Sequence, residues 1–505
     1  MKRFAFLFLC VFWVITLSAQ EIKLPAFITD SLENYIVKWM SKWEIPGLAI
    51  GIVKDGKIVL MKGFGVKKIG NSEPIDESTL FMIGSITKTF TATAFTILQD
   101  EKRVNLEDKV QRWMSEFKLK DPFLTREVTI SDLLSGRIGL ESNQGDFIAW
   151  FSNLSRTQII QKMELMDAPY ALRTKFHLIN PAFLTAGELI PKITGKSWEE
   201  TIKEKILLPL KMDHTLVLSE DFKTASNRAS PHSMVNNKCE EIQIMPLDNL
   251  APAGSISSSI KDMTNWILAQ LNNGIIDGQQ VISSKALQAI RNPYIIVGTN
   301  PSKGAVHIAL YGLGLFIWDG NGKLEYWHDG NVPGFNSTIM FVPEEKLGIV
   351  VLTNSDYNNF YNDLRAEILN AFFGTPYQGL TEKSFTALNR YRAFQKANVD
   401  SLTKVVKAGN KPTLPLISFC GTYFHEVYGE INIKQEKEIL TVHFSNHPDL
   451  SCRLEHIKDN KFLCTYSNAI YGIFEVPFKV EKDQVIELTL RSNAEYSPYI
   501  FKKKM

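Results

Sequence analysis

From Ile86 to Gln99 the chain carries a single charge, Lys88, among apolar residues that recur at Ile86, Phe90, Ala94 and Ile97/Leu98. That spacing predicts a helix buried on nearly every side and running to about Asp100. Upstream, residues 31–43 are amphipathic at helical period, while 48–53 and 57–61 read as two strands joined by Asp55-Gly56, a pair that favours a tight hairpin. From Val104 to about Pro301 the pattern is helical with long polar connections, clearest at 201–208, closed by Pro209, and at 260–271. Strand character returns at 313–318, 324–327, 337–342 and 348–352, punctuated by Gly320-Asn321-Gly322 and Pro343-Glu344-Glu345 turns, and a helix is predicted over 359–373.

Together these elements predict an α+β domain. Its antiparallel sheet joins the two early strands to the late ones, the first and last helices flank it, and a helical subdomain lies alongside. Residues 376–412, with Pro376, a polar helical stretch and the Gly409-Asn410-Lys411-Pro412 turn, read as a linker. Beyond it about eight short alternating strands over 416–501 predict a small antiparallel barrel or sandwich. The expected organisation is therefore a leader at 1–20, a main domain at 21–375, a linker at 376–412 and a terminal β domain at 413–505.

The leader is read from Lys2 and Arg3 followed by an uncharged apolar run over 4–17, ended by Ser18-Ala19-Gln20. This is the layout of a cleavable secretory signal, short for a membrane span, with maturation expected near Gln20 or Glu21. Cys10 has no small residue just before it and does not fit a lipid-attachment site. No later segment is long and apolar enough to span a bilayer, so export to the periplasm or the exterior is expected, with no transmembrane segment in the mature chain. Cys239, Cys420, Cys452 and Cys464 are too few for a disulfide framework in so long a chain, and no pair is assigned. Lys plus Arg (56) nearly balances Asp plus Glu (54), with no basic run bearing interleaved aromatics, which argues against a nucleic-acid partner.

Candidate chemistry begins at Lys88, because a lone lysine in a buried helix needs a reason. Ser85 lies three residues earlier, one turn away on the same face, so a hydroxyl meets an amine inside the protein. In the first turn Ser85 would sit among unpaired N–H groups able to stabilise an oxyanion, and a desolvated lysine can accept the serine proton near neutral pH. The alternative is a serine N-cap followed by a lysine that snorkels to the surface. Three further stretches bear on the choice: Asp132-Leu133-Leu134-Ser135-Gly136-Arg137-Ile138-Gly139-Leu140, Phe176-His177-Leu178-Ile179-Asn180-Pro181, and His328-Asp329-Gly330-Asn331-Val332-Pro333-Gly334.

In this order and spacing the four stretches resemble the serine beta-lactamase and DD-peptidase superfamily, in its class C, penicillin-binding-protein-like and esterase branch, over about residues 30–373. Ala251-Pro252-Ala253-Gly254 with Ser257-Ser258 also looks like a loop of that family. The resemblance implies the beta-lactamase/transpeptidase fold, Ser85 as nucleophile, Lys88 as base and Asn180 as the amide of the Y-x-N loop. It also places His328 and Gly330 on the strand opposite. On that strand His328 would face Ser85, Gly330 would let substrate backbone lie against the edge, and the N–H of Asn331 would be a second oxyanion donor. Two positions depart from the pattern: the family's tyrosine falls on Leu178, which carries no proton-transferring group, and its common histidine on Gly136. His177 neighbours Leu178 but should point elsewhere on an extended segment, leaving Lys88 as the better base.

The terminal domain resembles the lipocalin-like domain that often follows such hydrolases, through Cys420-Gly421-Thr422-Tyr423 and Val427-Tyr428-Gly429. His425-Glu426 lacks the second histidine of a zinc-protease helix, His443 and His447 lack a third ligand, and neither metal nor other cofactor is expected. The expected function is a secreted serine hydrolase acting through an acyl-enzyme on a small-molecule or peptide substrate: a D-amino-acid peptide, a small ester or a beta-lactam. Slow turnover is expected from Leu178, and a catalytically impaired member that binds peptidoglycan-like peptides is the rival. An alpha/beta-hydrolase is disfavoured by the lack of a G-x-S-x-G elbow. Acyl donor and oligomeric state are left open.

Overall fold

The computed structural model describes residues 22–235, 238–299, 306–320, 322–493 and 497–504, so the expected leader lies outside the described residues. Helix α1 (Leu32–Trp43) leads into a hairpin of β1 (Gly47–Lys54) and β2 (Lys57–Gly65). Asp55 and Gly56 both take positive φ, 52° and 75°, as a two-residue hairpin with the strands' own twist requires. Helix α2 (Thr87–Asp100) follows, then α3 (Asn180–Thr194) and α4 (Ile260–Leu271) in the helical region. The chain returns to the sheet with β3 (Ile295–Thr299), β4 (Val306–Tyr311), β5 (Phe316–Gly320), β6 (Lys323–Val332), β7 (Phe335–Val342) and β8 (Leu347–Thr353), and closes with α5 (Phe360–Phe372).

The sheet has eight strands in the order β2-β1-β8-β7-β6-β5-β4-β3. Pairing is antiparallel from β2 across to β3. Period-two alternation sends its side chains into two cores. Leu48, Ile50 and Ile52 of β1 with Ile349 and Val351 of β8 pack against Leu32, Ile36 and Trp39 of α1 and Leu364 and Ile368 of α5. Ala49 and Val53, with Val350 and Leu352, face the other way onto α2 and α4, where Phe90 and Trp266 stack at 4.3 Å.

Two sequence expectations are corrected. The helical reading carried to about Pro301 overshoots, because 295–299 is the outermost strand of the sheet. Ile295 is buried while Ile296 and Val297 are exposed, so this edge strand shows no strict alternation to read. The strand expected at 313–318 begins only at Phe316, since the chain first bends at Gly314 (φ 70°), where a Cβ would lie 2.7 Å from the carbonyl oxygen of Lys88.

Past the sheet, residues 380–407 form one 28-residue helix, α6 (Leu380–Lys407). Thr381 accepts from the Tyr35 hydroxyl at 2.7 Å, and Phe385 packs edge-on between Trp39 and Trp43. Eight strands from Gly421–His425 to Tyr499–Lys503 then pair in sequence and close on themselves as an antiparallel barrel. Leu364 is wholly buried between α5 and the sheet. Leu364→Ala should lower unfolding stability by about 2–5 kcal/mol, read as a fall in denaturant midpoint.

Candidate active site

Ser85 occupies a single 3-10 turn, Gly84–Ile86, just ahead of α2 rather than the α-helix's own first turn. The chain enters through Gly84 at φ 50°, which an α-helix does not accommodate. From Phe81 to Thr96 every residue is buried except Ser85, so its hydroxyl is the point of this element open to the cleft. Lys88 Nζ lies 2.7 Å from Ser85 Oγ and donates to the Ala253 carbonyl at 2.9 Å. Its side chain is fully buried, with the Phe183 ring 5.5 Å away. Burial pulls the ammonium down from its ordinary value of 10.5 to about 7, against the opposing pull of the Asp146 carboxylate.

Opposite stands β6, whose alternation divides the third motif between the two faces of the sheet. His328 pairs with Ile339 and points to the α2 side, whereas Asp329 points to α5 and meets Arg365 at 2.9 Å and the Asn362 amide at 2.9 Å. His328 is 2 % exposed, and burial together with the nearby Lys88 charge lowers its pKa to about 3, so the ring is neutral. Its Nδ1 lies 2.6 Å from the Asp329 carbonyl, which can only accept, so the proton is assigned to Nδ1. The Tyr311 hydroxyl, 3.3 Å from Nε2, is then the donor to the other nitrogen.

The two backbones touch. A Cβ on Gly330 would fall 1.8 Å from the Ile83 carbonyl oxygen, and one on Gly84 would fall 3.0 Å from the Asn331 nitrogen. Glycine at these positions brings the Ser85 turn against the strand edge. Asn331 spends its side-chain amide on Tyr361 Oη (2.9 Å) and Asn336 Oδ1 (2.7 Å), away from the turn.

Asn180 opens α3, borders the Ser85 cleft and donates from Nδ2 to Asp146 Oδ1 at 2.8 Å. Leu178 lies just outside, partly exposed, its carbonyl accepting the Asn143 N–H at 2.9 Å. His177 points away: it stacks on Tyr170 at 4.6 Å, and its Nδ1 accepts from the Ser142 N–H. Gly136 has φ 63° and would place a Cβ 2.6 Å from the His177 carbonyl oxygen, so the close approach of these two stretches leaves no room for a larger residue. Trp150, Met245, Leu247, Leu250, Val332 and Pro333 give the cleft an apolar wall. Sequence reasoning missed Asp146, Trp150 and Tyr311. The Gly145-Asp146 step, with glycine at φ 91°, was the available signal for the first, and no local pattern marks the other two.

Among the described residues no three His, Cys, Asp or Glu side chains converge as metal ligands, and no helix is long and apolar enough to cross a membrane.

The sheet with its flanking helices and the Ser-Lys turn facing a His-x-Gly strand define a penicillin-binding-protein-like architecture. A solved structure described as the octameric penicillin-binding protein homologue from Pyrococcus abyssi superposes with a TM-score of 0.60 at 23% identity, covering 94% of this chain and all of that one. Residues 32–371 match the model of the beta-lactamase family, and the chain belongs to that family. Residues 406–503 match a domain of unknown function, DUF3471. Similar curated proteins include an unguisins hydrolase of Aspergillus campestris, 26% identical over 431 residues, covering 81% of this chain and 78% of that protein. Protein flp of Staphylococcus aureus is 29% identical over 334 residues, covering 64% and 63%.

Gly330→Ala should push the strand off the Ser85 turn and reduce active-site labelling at least about a hundredfold, since a shift near 1 Å carries such a cost. Labelling at the parental rate would show that the contact yields freely. Lys88 generates a second prediction. Its folded-state pKa of about 7 lies below the unfolded 10.5, so the unfolded chain binds more protons in that interval and the penalty for burying the lysine fades as pH rises through it. Lys88→Met should therefore stabilise the fold most at pH 6, and its lead over the parent in denaturant midpoint should narrow steadily toward pH 10.

Proposed function

We propose that the protein is an exported serine hydrolase that forms an acyl-enzyme at Ser85. The observation that carries this reading is the 2.7 Å approach of a fully buried Lys88, with pKa about 7, to the cleft-facing hydroxyl of Ser85 on the turn just ahead of its helix. Lys88 Nζ takes the Ser85 proton as Oγ attacks the substrate carbonyl, and returns it to the leaving amine or alcohol. Water then releases the acyl group by the same route. The N–H groups of Ser85 and Asn331, brought side by side by Gly84, hold the oxyanion. Asn180 orients the substrate, and neutral His328 supports the strand edge without taking a proton, because its free nitrogen is occupied by Tyr311.

The apolar wall favours an uncharged acyl group, such as a small ester, a blocked D-amino-acid peptide or a beta-lactam. The hydrolase name of the Aspergillus relative supports the reaction type. Export rests on Lys2-Arg3 and the apolar run over 4–17. Leu178 favours a second reading, a binder of peptides that has lost turnover.

Mass spectrometry after incubation with a fluorophosphonate separates the two. The parent should gain one adduct on Ser85, and Ser85→Ala should gain none with the fold intact; an adduct that persists on that variant would sink the assignment. Lys88→Met should slow labelling by roughly a hundred- to ten-thousandfold. His328→Ala and Asn180→Ala should still label, but more slowly. Leu178 is expected to leave ester hydrolysis weak and amide hydrolysis weaker, so Leu178→Tyr should raise ester turnover. Efficient amide turnover by the parent, unchanged in Leu178→Tyr, would mean that another group fills the tyrosine's role.

A further inference from the structure

Residues 143–153 touch the cleft on one side and the barrel on the other. Toward the cleft, Asp146 receives the Asn180 amide at 2.8 Å and Trp150 forms part of the apolar wall. Toward the barrel, Phe147 is 3 % exposed and inserts among barrel aromatics. Its ring stacks on His447 at 4.6 Å and on Tyr499 at 5.7 Å, and meets Phe444 and Tyr471 edge-on. The backbone is held too: His447 Nε2 donates to the Phe147 carbonyl at 2.6 Å and the Tyr471 hydroxyl to that of Trp150 at 3.2 Å. The Asn153 N–H donates to the Asn446 carbonyl at 3.0 Å. Between these anchors Phe151 sits at φ 55°, a conformation a bulky residue adopts only when its surroundings impose it.

We propose that the barrel is a clamp on the catalytic cleft: by gripping Phe147 and the carbonyls of Phe147 and Trp150 it fixes Asp146 against Asn180, making Asp146 a positioning residue for the Ser85–Lys88 pair. The proposal rests on the hydrolase reading above. Asp146 holds Asn180 in place and supplies the negative charge that favours the ammonium formed when Lys88 takes the serine proton. The groups facing Lys88 include Ser85, the Ala253 carbonyl, His328 and Asp146; those around Asp146 include Asn180, Lys88 and the hydroxyl-bearing rings of Tyr428 and Tyr499. His447 does not titrate near neutrality, since burial lowers it to about 4, so the clamp itself is insensitive to pH there.

The test uses the full chain, with p-nitrophenyl butyrate hydrolysis followed as kcat/KM against pH and fluorophosphonate labelling alongside. Asp146→Asn should lower kcat/KM about tenfold or more and move the acid limb to lower pH, because Lys88 loses the charge that favours its protonated form. His447→Phe and Phe147→Ala, both outside the cleft, should move rate and limb the same way by about three- to tenfold, while His447→Gln, which keeps a donor for the Phe147 carbonyl, should return both to within about twofold of the parent. Melting curves of His447→Phe, the gentler change, establish that the barrel still folds. Clamp variants that are folded and retain parental rate and limb overturn the clamp; so does a loss of rate with an unmoved limb, which marks a purely structural contact. A parent that neither hydrolyses the ester nor takes the phosphonate overturns the hydrolase reading itself.

Discussion

Burial of the Lys88 amine is the constraint from which the rest of the main domain follows. A lysine held at the ordinary value for an exposed amine would be no base at neutral pH; desolvation brings it to about 7. Desolvation requires a helix covered on all sides, yet α2 is rich in threonine. The hydroxyls cause no penalty because each is paired: Thr89, Thr93 and Thr96 bond to the carbonyls of Ile86, Thr89 and Thr93, while Thr91 donates to the Pro252 carbonyl and Thr87 accepts the Ile256 N–H. A helix whose polar side chains are satisfied by its own backbone and by the 252–256 segment can sit in the middle of a core, with its amine between Ser85 and the Ala253 carbonyl.

The same constraint explains the composition of β6. A strand next to such a helix must present small or neutral groups on that face and can be charged on the other. His-Asp-Gly-Asn does this by alternation: neutral His328 and Gly330 face α2, and Asp329 is paired with Arg365 on the α5 side. A charged His328 beside Lys88 would raise the cost of protonating the lysine. Burial and the nearby Lys88 charge keep the ring neutral instead, against the Asp329 carbonyl, whose hydrogen bond favours the protonated form.

How much of this was legible in the sequence depends on whether the signal was local. The Ser85–Lys88 turn, the Asp55-Gly56 hairpin, the alternating strands β6 to β8 and the eight-stranded terminal domain are local patterns, and the structure places them where the periodicities do. Residues 295–299 were misread because an edge strand with two exposed apolar residues in succession has no period to detect. The polar helical stretch read within 376–412 is the helix α6; its apolar contacts, Phe385 against Trp39 and Trp43, connect residues far apart in the chain and had no local signal. Asp146 and Tyr311 were invisible for the same reason, since each acquires its role from a partner outside its own element: Asn180, 34 residues on, for one, and His328, 17 residues on and on the next strand but one, for the other.

Energetics indicate why the loop at 143–153 needs the barrel. Holding a bulky residue such as Phe151 in the left-handed region costs about 1–3 kcal/mol. Burying the Phe147 ring returns about 1.5–3 kcal/mol, one favourable aromatic pair roughly 0.5–1.5 kcal/mol more, and each backbone hydrogen bond about 0.5–1.5 kcal/mol. The anchors on the barrel are together large enough to offset that strain. Asp146 precedes Phe147 directly, so the carboxylate that receives the Asn180 amide is one residue from a ring packed into the barrel.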